Sequence, residues 1–375
     1  MVTVRPLDRR SREDVRRFVD LPFRLYAGNT CWVPPFRRDV KLWLDPGKHP
    51  FYERSDASFH LAERDGRIVG RIAVLENRPF NQHHGKREAD FYCFECENDP
   101  EAASALFETA ARWARERGLS RLVGPKGFSA FDGYGILVRG FERPPVMTMT
   151  NYNLDYYAAL VEGAGFCKEV DFVTFHLHED TFVMPERVRR VAERAVARSG
   201  LRVFTYPTKR ALIEAAPAIR EAYNSAFRDN WEYYPLSERE VKLLVDQLAL
   251  IVDPAFVKFI FDGERMVGFL FSFPDLSRAF QKARGRLTPL AILRLMLEMR
   301  RSESVAINGA GILPQYQNRG GNALLYTEIE RTIRESRFRE ATLVQVAETA
   351  VQMRRDLEGL GAVPVKTHRI YARDI

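Results

Sequence analysis

The chain has 375 residues, more than one hydrophobic core usually organises, so two domains are expected. Its 46% apolar, 12% aromatic and 29% charged residues exclude a disordered chain, and no apolar run reaches the roughly eighteen residues of a membrane span. Fifty-seven Lys and Arg against fifty Asp and Glu leave a net charge of +7, which suits a nucleotide, a nucleic acid or an anionic lipid without choosing among them.

The N-terminal "MVTVRPLDRRSRED" has no apolar signal region, so a cytoplasmic protein is expected. "FHLAERDGRIVGRIAVLEN", Phe59 to Asn77, predicts a hairpin turning at Asp65-Gly66. "ADFYCFECE" is a strand. Its Cys93 and Cys96 form a C-x-x-C, but there is no second pair and no metal-spaced His cluster, so they read as two small strand side chains and no metal is expected. "DPEAASALFETAARWARERG" predicts a helix with Asp99 as N-cap, Pro100 at its first position and Gly118 as terminator. "LSRLVGP" is a strand and "NLDYYAALVEGAGF" a short helix.

A helical stretch at 184–200 follows, then "LRVFTYPTKRALIEAAPAIREAYNSAF" with a strand and an amphipathic helix. "FVKFIFDGERMVGFLFSFP" is a second strand, Asp-Gly turn and strand; "SVAINGAGILP" is a strand, "GNALLYTEIERTIRESR" a helix, "EATLVQVAE" a strand and "AVQMRRDLEGLG" a helix. Both halves therefore read as hairpin, strand, helix, strand, helix, a duplicated α/β (α+β) architecture. The expected domains are 1–183, a linking helix at 184–200, and 201–375. Between Arg278 and Arg301, seven Lys and Arg against one Glu accompany a cluster of Leu, Ile and Met, a pattern for either a packed helix or a peripheral contact with anionic lipid.

"LPQYQNRGGNALLY", Leu313 to Tyr326, places two glycines between a strand and a helix. Helix N-termini expose unpaired N–H groups and favour negative charge, glycines allow close backbone approach, and Arg319 adds a cation, so the loop reads as a pyrophosphate cradle. It matches neither a P-loop nor a dinucleotide fingerprint.

In position and neighbours this loop resembles the [QR]-x-x-G-x-[GA] motif of the GNAT superfamily of acyl-CoA-dependent N-acyltransferases, with Asn322 in place of the last Gly or Ala. Segments spread along the chain, among them "WVPPF", "GPKGFSAFDGYGILVRGFERPP", "NYNLDYY", "RDNWEYYPLSERE" and "THRIYARD", resemble the bacterial tandem-GNAT family that includes the bacterial ceramide synthases. The resemblance implies two GNAT folds, each a mixed twisted sheet flanked by helices. It also implies acetyl-CoA or long-chain acyl-CoA as co-substrate and an amine acceptor, small or of the lipid, sphingoid type.

Carried onto this chain, the resemblance makes Ile312 and Leu313 backbone contacts for the pantetheine arm. Gln317, Asn318, Arg319, Gly320, Gly321, Asn322 and Ala323 become the pyrophosphate loop. Glu348, at the end of the strand "TLVQVAE", is the candidate base. The tyrosine acid usual in the last helix is replaced by Leu357, leaving Tyr371 and His368 as alternatives. Asn230, Trp231 and Tyr157 are candidates for the acceptor site. The first half lacks a glycine loop in "CENDPEAASAL" and is expected to shape the acceptor pocket instead of binding the donor. Two other readings stay open: an aminoacyl-tRNA-dependent peptidyltransferase, disfavoured by the intact phosphate loop, and a non-catalytic CoA- or lipid-sensing module.

Overall fold

The computed structural model describes every residue except 130, 131, 229, 230, 232, 318 and 319, and the side chain of Ser199. The chain opens with β1 (Val2–Pro6), α1 (Arg12–Leu25), α2 (Arg37–Trp43), β2 (Asp56–Arg64), β3 (Arg67–Glu76) and α3 (Arg78–His84). It continues with β4 (Glu88–Cys96), α4 (Pro100–Arg115), β5 (Arg121–Gly124), β6 (Ile136–Arg139), α5 (Tyr157–Gly163) and β7 (Cys167–His178). Then come α6 (Glu186–Ser199), β8 (Leu201–Phe204), α7 (Lys209–Glu214), α8 (Ala216–Ala226), α9 (Glu238–Leu248), β9 (Val257–Asp262) and β10 (Arg265–Pro274). The last elements are α10 (Ser277–Ala283), α11 (Pro289–Arg301), β11 (Ser304–Ile312), α12 (Gly321–Arg334), β12 (Glu340–Ala347), α13 (Val351–Gly359) and β13 (Val363–Asp374).

Local chemistry accounts for the boundaries. Asp65 and Gly66 both adopt positive φ, 51° and 76°, the pair of left-handed residues that lets a two-residue turn match strand twist. Asp99 caps α4 by accepting from the Ala102 N–H, and Ala103, Leu106, Phe107, Ala110 and Ala114 repeat at helical spacing along its buried face. The segment between Arg278 and Arg301 forms two helices, α10 and α11.

Two compact units interleave along the sequence: Met1–Phe172 with Ser277–Leu293 and Lys366–Ile375, and Val173–Leu276 with Arg294–Val365. In the first, β1, β2, β3 and β4 pair antiparallel, and α4 crosses over to place β5 parallel to β4. In the second, β8, β9, β10 and β11 pair antiparallel, and α12 places β12 parallel to β11. The residues of β13 from Lys366 onward complete the first unit beside β5, and those of β7 from Val173 onward stand beside β12 in the second. The units therefore do not follow the consecutive segments 1–183, 184–200 and 201–375.

Both sheet faces of the first unit are buried. Phe91, Leu106, Phe107, Phe166 and Tyr371 share one cluster, whereas Phe18, Phe59, Leu61, Tyr92 and Phe128 share another, as the two-residue period of β4 requires. Fully buried Phe128 touches the rings of Trp43, His49, Phe51, Tyr52, Phe59 and Tyr92. Phe128→Ala is expected to cost about 3–5 kcal/mol, the range for truncating a buried aromatic side chain. Urea unfolding followed by tryptophan fluorescence measures this as a lowered midpoint.

Candidate active site

The parallel ladder between β11 and β12 is short. It pairs Ser304 with Glu340, Val305 with Ala341, Ala306 with Thr342 and Ile307 with Leu343, and stops there, although β11 runs to Ile312 and β12 to Ala347. The cause lies on the other edge of β11, where the register with β10 shifts between Leu270 and Ser272 and skips Asn308 and Gly309. A bulge of this kind bends the strand and turns its free edge outward. Gly309 has φ 117°, and Gln345 on β12 has φ 60°, so both strands bend where they part.

Alternation fixes which peptide groups face the opening. The Leu313 N–H donates to the Val267 carbonyl at 2.9 Å and the Leu313 carbonyl accepts from Tyr316 N–H at 2.8 Å, so both of its backbone groups are taken. Leu313 is thereby removed as a backbone contact. The neighbouring Ile312, and Ala310 two residues before it, direct their peptide groups to the opposite edge, toward the cleft. There the Ile312 carbonyl accepts from Gln317 Nε2 at 3.3 Å.

The glycine loop departs from its expected reason. Gly320 is left-handed, with φ 90°, and ends on the N-terminus of α12. A Cβ on Gly320 would lie 2.8 Å from the Ala195 Cβ and 3.1 Å from the Val191 carbonyl oxygen of α6, and one on Gly321 would lie 2.8 Å from Ile312 Cδ1. Both glycines are thus needed by contacts within the protein. The first N–H groups of α12, at Gly321, Asn322 and Ala323, have no intrahelical partner, as at any helix N-terminus. Asn322 is exposed and Ala323 buried. Asn318 and Arg319 lie outside the described residues.

Glu348 follows β12 immediately, half-buried, and its carbonyl accepts from Arg354 Nη1 at 3.5 Å. Leu357 is buried in the core of this unit at 1% exposure, so no polar group stands at that helix position. Half-buried Trp231 belongs to the same unit, and Asn230 lies outside the described residues.

Aromatic rings stand over β11 where the cleft begins, a feature missing from the sequence-derived candidates. Cβ atoms on Gly309 and Gly311 would meet Phe271 at 3.1 Å and Phe269, Ala226 and Phe227 at 3.0–3.3 Å. Phe269 stacks on Phe271 at 4.7 Å between centroids, and Phe227 meets Phe269 edge-on at 5.4 Å and Tyr223 at 4.9 Å. The alternation in "GFLFSF" places Phe269 and Phe271 on one strand face and was the available signal.

The first unit contains the remaining candidates. The Tyr371 hydroxyl donates to Glu162 Oε1 at 2.8 Å from a ring 1% exposed. His368 is 2% exposed, and its Nε2 lies 2.9 Å from the Asn151 carbonyl oxygen. Tyr157 donates to Glu95 Oε2 at 2.6 Å, and Tyr26 donates to the same oxygen at 2.7 Å. All three are saturated core groups; burial raises both tyrosine hydroxyls' pKa and lowers that of His368 to about 4, so the acid assigned to Tyr371 or His368 and the acceptor contact assigned to Tyr157 do not fit their surroundings. Cys93 and Cys96 are free thiols; burial pushes Cys93 up to about 12 and Cys96 higher still, so both stay protonated.

The corresponding cleft of the first unit is closed. The β4–β5 ladder stops at Asp90 and Val123, but Lys126 N–H then donates to the Phe91 carbonyl at 2.9 Å and the Lys126 ammonium pairs with Asp90 at 3.0 Å. Phe128 and Ser129 N–H groups donate to Asp132 Oδ2, holding this loop along β4. Among the described residues there is no cluster of His, Cys, Asp and Glu suited to a metal ion.

Known proteins show the same architecture. A tandem GNAT protein from the clavulanic acid biosynthesis pathway superposes with a TM-score of 0.54 at 13% identity, covering 100% of this chain and 98% of that one. The chain has a tandem GNAT fold. It is also similar, at 28% identity over 96% of its length and 94% of the relative's, to the bacterial ceramide synthase of Caulobacter vibrioides. It is 25% identical to Protein YghO of Escherichia coli over 97% of this chain and 94% of that one. No protein-family model matches the chain. In this fold the β11–β12 ladder of the second unit ends at Ile307 and Leu343, whereas in the first unit the chain after β5 lies along β4.

His49, His60 and His368, all in the first unit, are each lowered to about 4, chiefly by burial. Because the folded pKa lies below the ordinary 6.5, the unfolded chain binds protons first as pH falls. Stability is full above about pH 6.5 and lost progressively toward pH 4. The urea midpoint should fall across that window, and His368→Gln should flatten the profile.

Proposed function

We propose that the chain is an acyl-CoA-dependent N-acyltransferase whose second unit holds the donor and whose acceptor is an amine on an apolar, lipid-like molecule of the sphingoid type. The carrying observation is the parting of β11 from β12 after Ile307 and Leu343. The fold and the similarity to a bacterial ceramide synthase support N-acyl transfer. The rings of Phe227, Phe269 and Phe271 beside β11 support an apolar ligand.

The residues fit acyl-CoA as substrate. The edge at Ala310 and the Ile312 N–H offer hydrogen bonds to an extended pantetheine arm, and the first N–H groups of α12 offer an anion site for the pyrophosphate. In the reaction the amine nitrogen bonds to the thioester carbonyl carbon, the C–S bond breaks, and the nitrogen loses a proton. Glu348 takes that proton as general base, directly or through one water. Peptide N–H groups on the β11 edge stabilise charge on the carbonyl oxygen. With Leu357 apolar and Tyr371 and His368 saturated in the other unit's core, the thiolate leaves to solvent.

Calorimetric titration with acetyl-CoA and palmitoyl-CoA below its micelle concentration tests the donor. Tighter binding of the long chain is expected, and binding of neither overturns the reading. Gly320→Glu would disturb α6 as well as a phosphate, so Asn322→Glu is the cleaner probe. An acid at an exposed helix N-terminus leaves folding intact and repels the pyrophosphate, and CoA affinity is expected to fall at least about tenfold.

Glu348→Gln is expected to lower kcat by about 10²–10⁴ with little change in donor affinity, measured by thiol release with a sphingoid base. Donor binding without thiol release in the wild-type protein would make the chain a sensor. Steeply salt-dependent RNA binding with no CoA affinity would favour the peptidyltransferase reading.

A further inference from the structure

A cationic cleft of about 750 Å³ opens in the first unit between α1, α2 and the segment that leads into α11. Seven Lys and Arg line it against two carboxylates. Both carboxylates have partners: Asp20 with Arg37 at 2.9 Å and Asp45 with Lys48 at 2.8 Å. Arg10, Arg12, Arg16, Lys41 and Arg286 are exposed, and none forms an ion pair among the described residues. Such a field favours a phosphate-bearing ligand, and its volume exceeds that of a bare phosphate ion.

The segment carrying Arg286 is fixed by specific contacts. Arg37 N–H donates to the Gly285 carbonyl at 2.9 Å, and Arg37 Nη1 donates to the Arg284 carbonyl at 2.6 Å. Gly285 is left-handed, φ 70°, and a Cβ there would lie 2.5 Å from the Phe23 ring, so this turn holds Arg286 at the rim. Three residues later α11 begins, and its exposed side is apolar. Leu290 and Leu293, 54% and 52% exposed, belong to the same unit as the cleft. The stripe continues along the helix through Met296 and Leu297, whereas Ala291 and Leu295 face inward. Arg294, Arg300 and Arg301 are exposed on the same helix, able to lay their stems along apolar surface and raise their charges to the phosphate layer.

We propose that the first unit docks on an anionic phospholipid surface, a headgroup phosphate entering the cationic cleft while Leu290 and Leu293 enter the acyl boundary. A soluble polyanion would explain the cleft without the leucines, and a protein partner would explain the leucines without the unpaired cations. An anionic lipid surface uses both, which are joined by one short, fixed turn. This docking stands apart from the acyl-transfer reading, because a soluble amine would leave it untouched.

Co-sedimentation of the purified full chain with phosphatidylcholine vesicles, with and without phosphatidylglycerol, tests the proposal. Binding is expected only with phosphatidylglycerol and is weakened by salt. Arg16→Glu with Lys41→Glu should lower partitioning at least about tenfold. Leu290→Ser with Leu293→Ser should do so to a similar extent, and circular dichroism should show all variants folded, since each site is exposed. Equal binding to both vesicles, no binding to either, or partitioning unchanged in either double variant overturns the proposal. Vesicle binding abolished by inorganic pyrophosphate yet indifferent to the leucine changes would assign the cleft to a soluble anion instead.

Discussion

From Ser304 to Ile307 the peptide groups of β11 find ladder partners on β10 and on β12; past Ile307 the edge toward β12 loses its pairing. A peptide group buried without a partner costs about 1–3 kcal/mol, so an open strand edge inside a domain requires water or a ligand to fill it. The bulge that skips Asn308 and Gly309 sets this opening, because it turns the second half of β11 away from β12. Helix α12 then starts at the strand's end and aims unpaired N–H groups at the same region. The unpaired strand edge, the helix N-terminus beside it and the position of Glu348 after β12 are grouped around one irregularity in a ladder.

The first unit shows what happens when the same opening is answered by the protein itself. Its ladder also ends early, at Asp90 and Val123, but the chain leaving β5 turns back along β4, donates from Lys126 to Phe91 and seats Phe128 in the core. The buried Lys126–Asp90 pair is costly to desolvate and is compensated by its own attraction. The two units thus share a plan but differ at this point: the first lays polypeptide along β4, and the second leaves the β11 edge unpaired toward β12.

Much of this organisation was legible in the sequence. The Asp65-Gly66 hairpin, the Asp99-Pro100 helix start and the order strand, glycine loop, helix each rest on a local rule that the fold obeys. Other features depend on contacts far apart in sequence. Nothing local tells that Lys366–Ile375 joins the first unit or that β7 passes out of it after Phe172. Nor does a tyrosine in a strand reveal that its hydroxyl already has Glu162, as Tyr371 does. The aromatic wall was within reach, since Phe269 and Phe271 alternate on one face, but the neighbours that give it meaning, Gly309 and Gly311, become visible only when β11 is laid beside β10.

The two glycines of the loop have a packing role that the sequence motif does not display. Their lack of side chains suggested close approach of a phosphate to backbone, yet the space a side chain would need is held by Ala195, Val191 and Ile312. Gly320 allows α6 to lie against the start of α12, and Gly321 allows α12 to begin directly on the end of β11. These contacts fix the helix N-terminus relative to the strand edge, the relation on which the proposed donor site depends. The glycines act through the packing they permit, so enlarging either one displaces the start of α12.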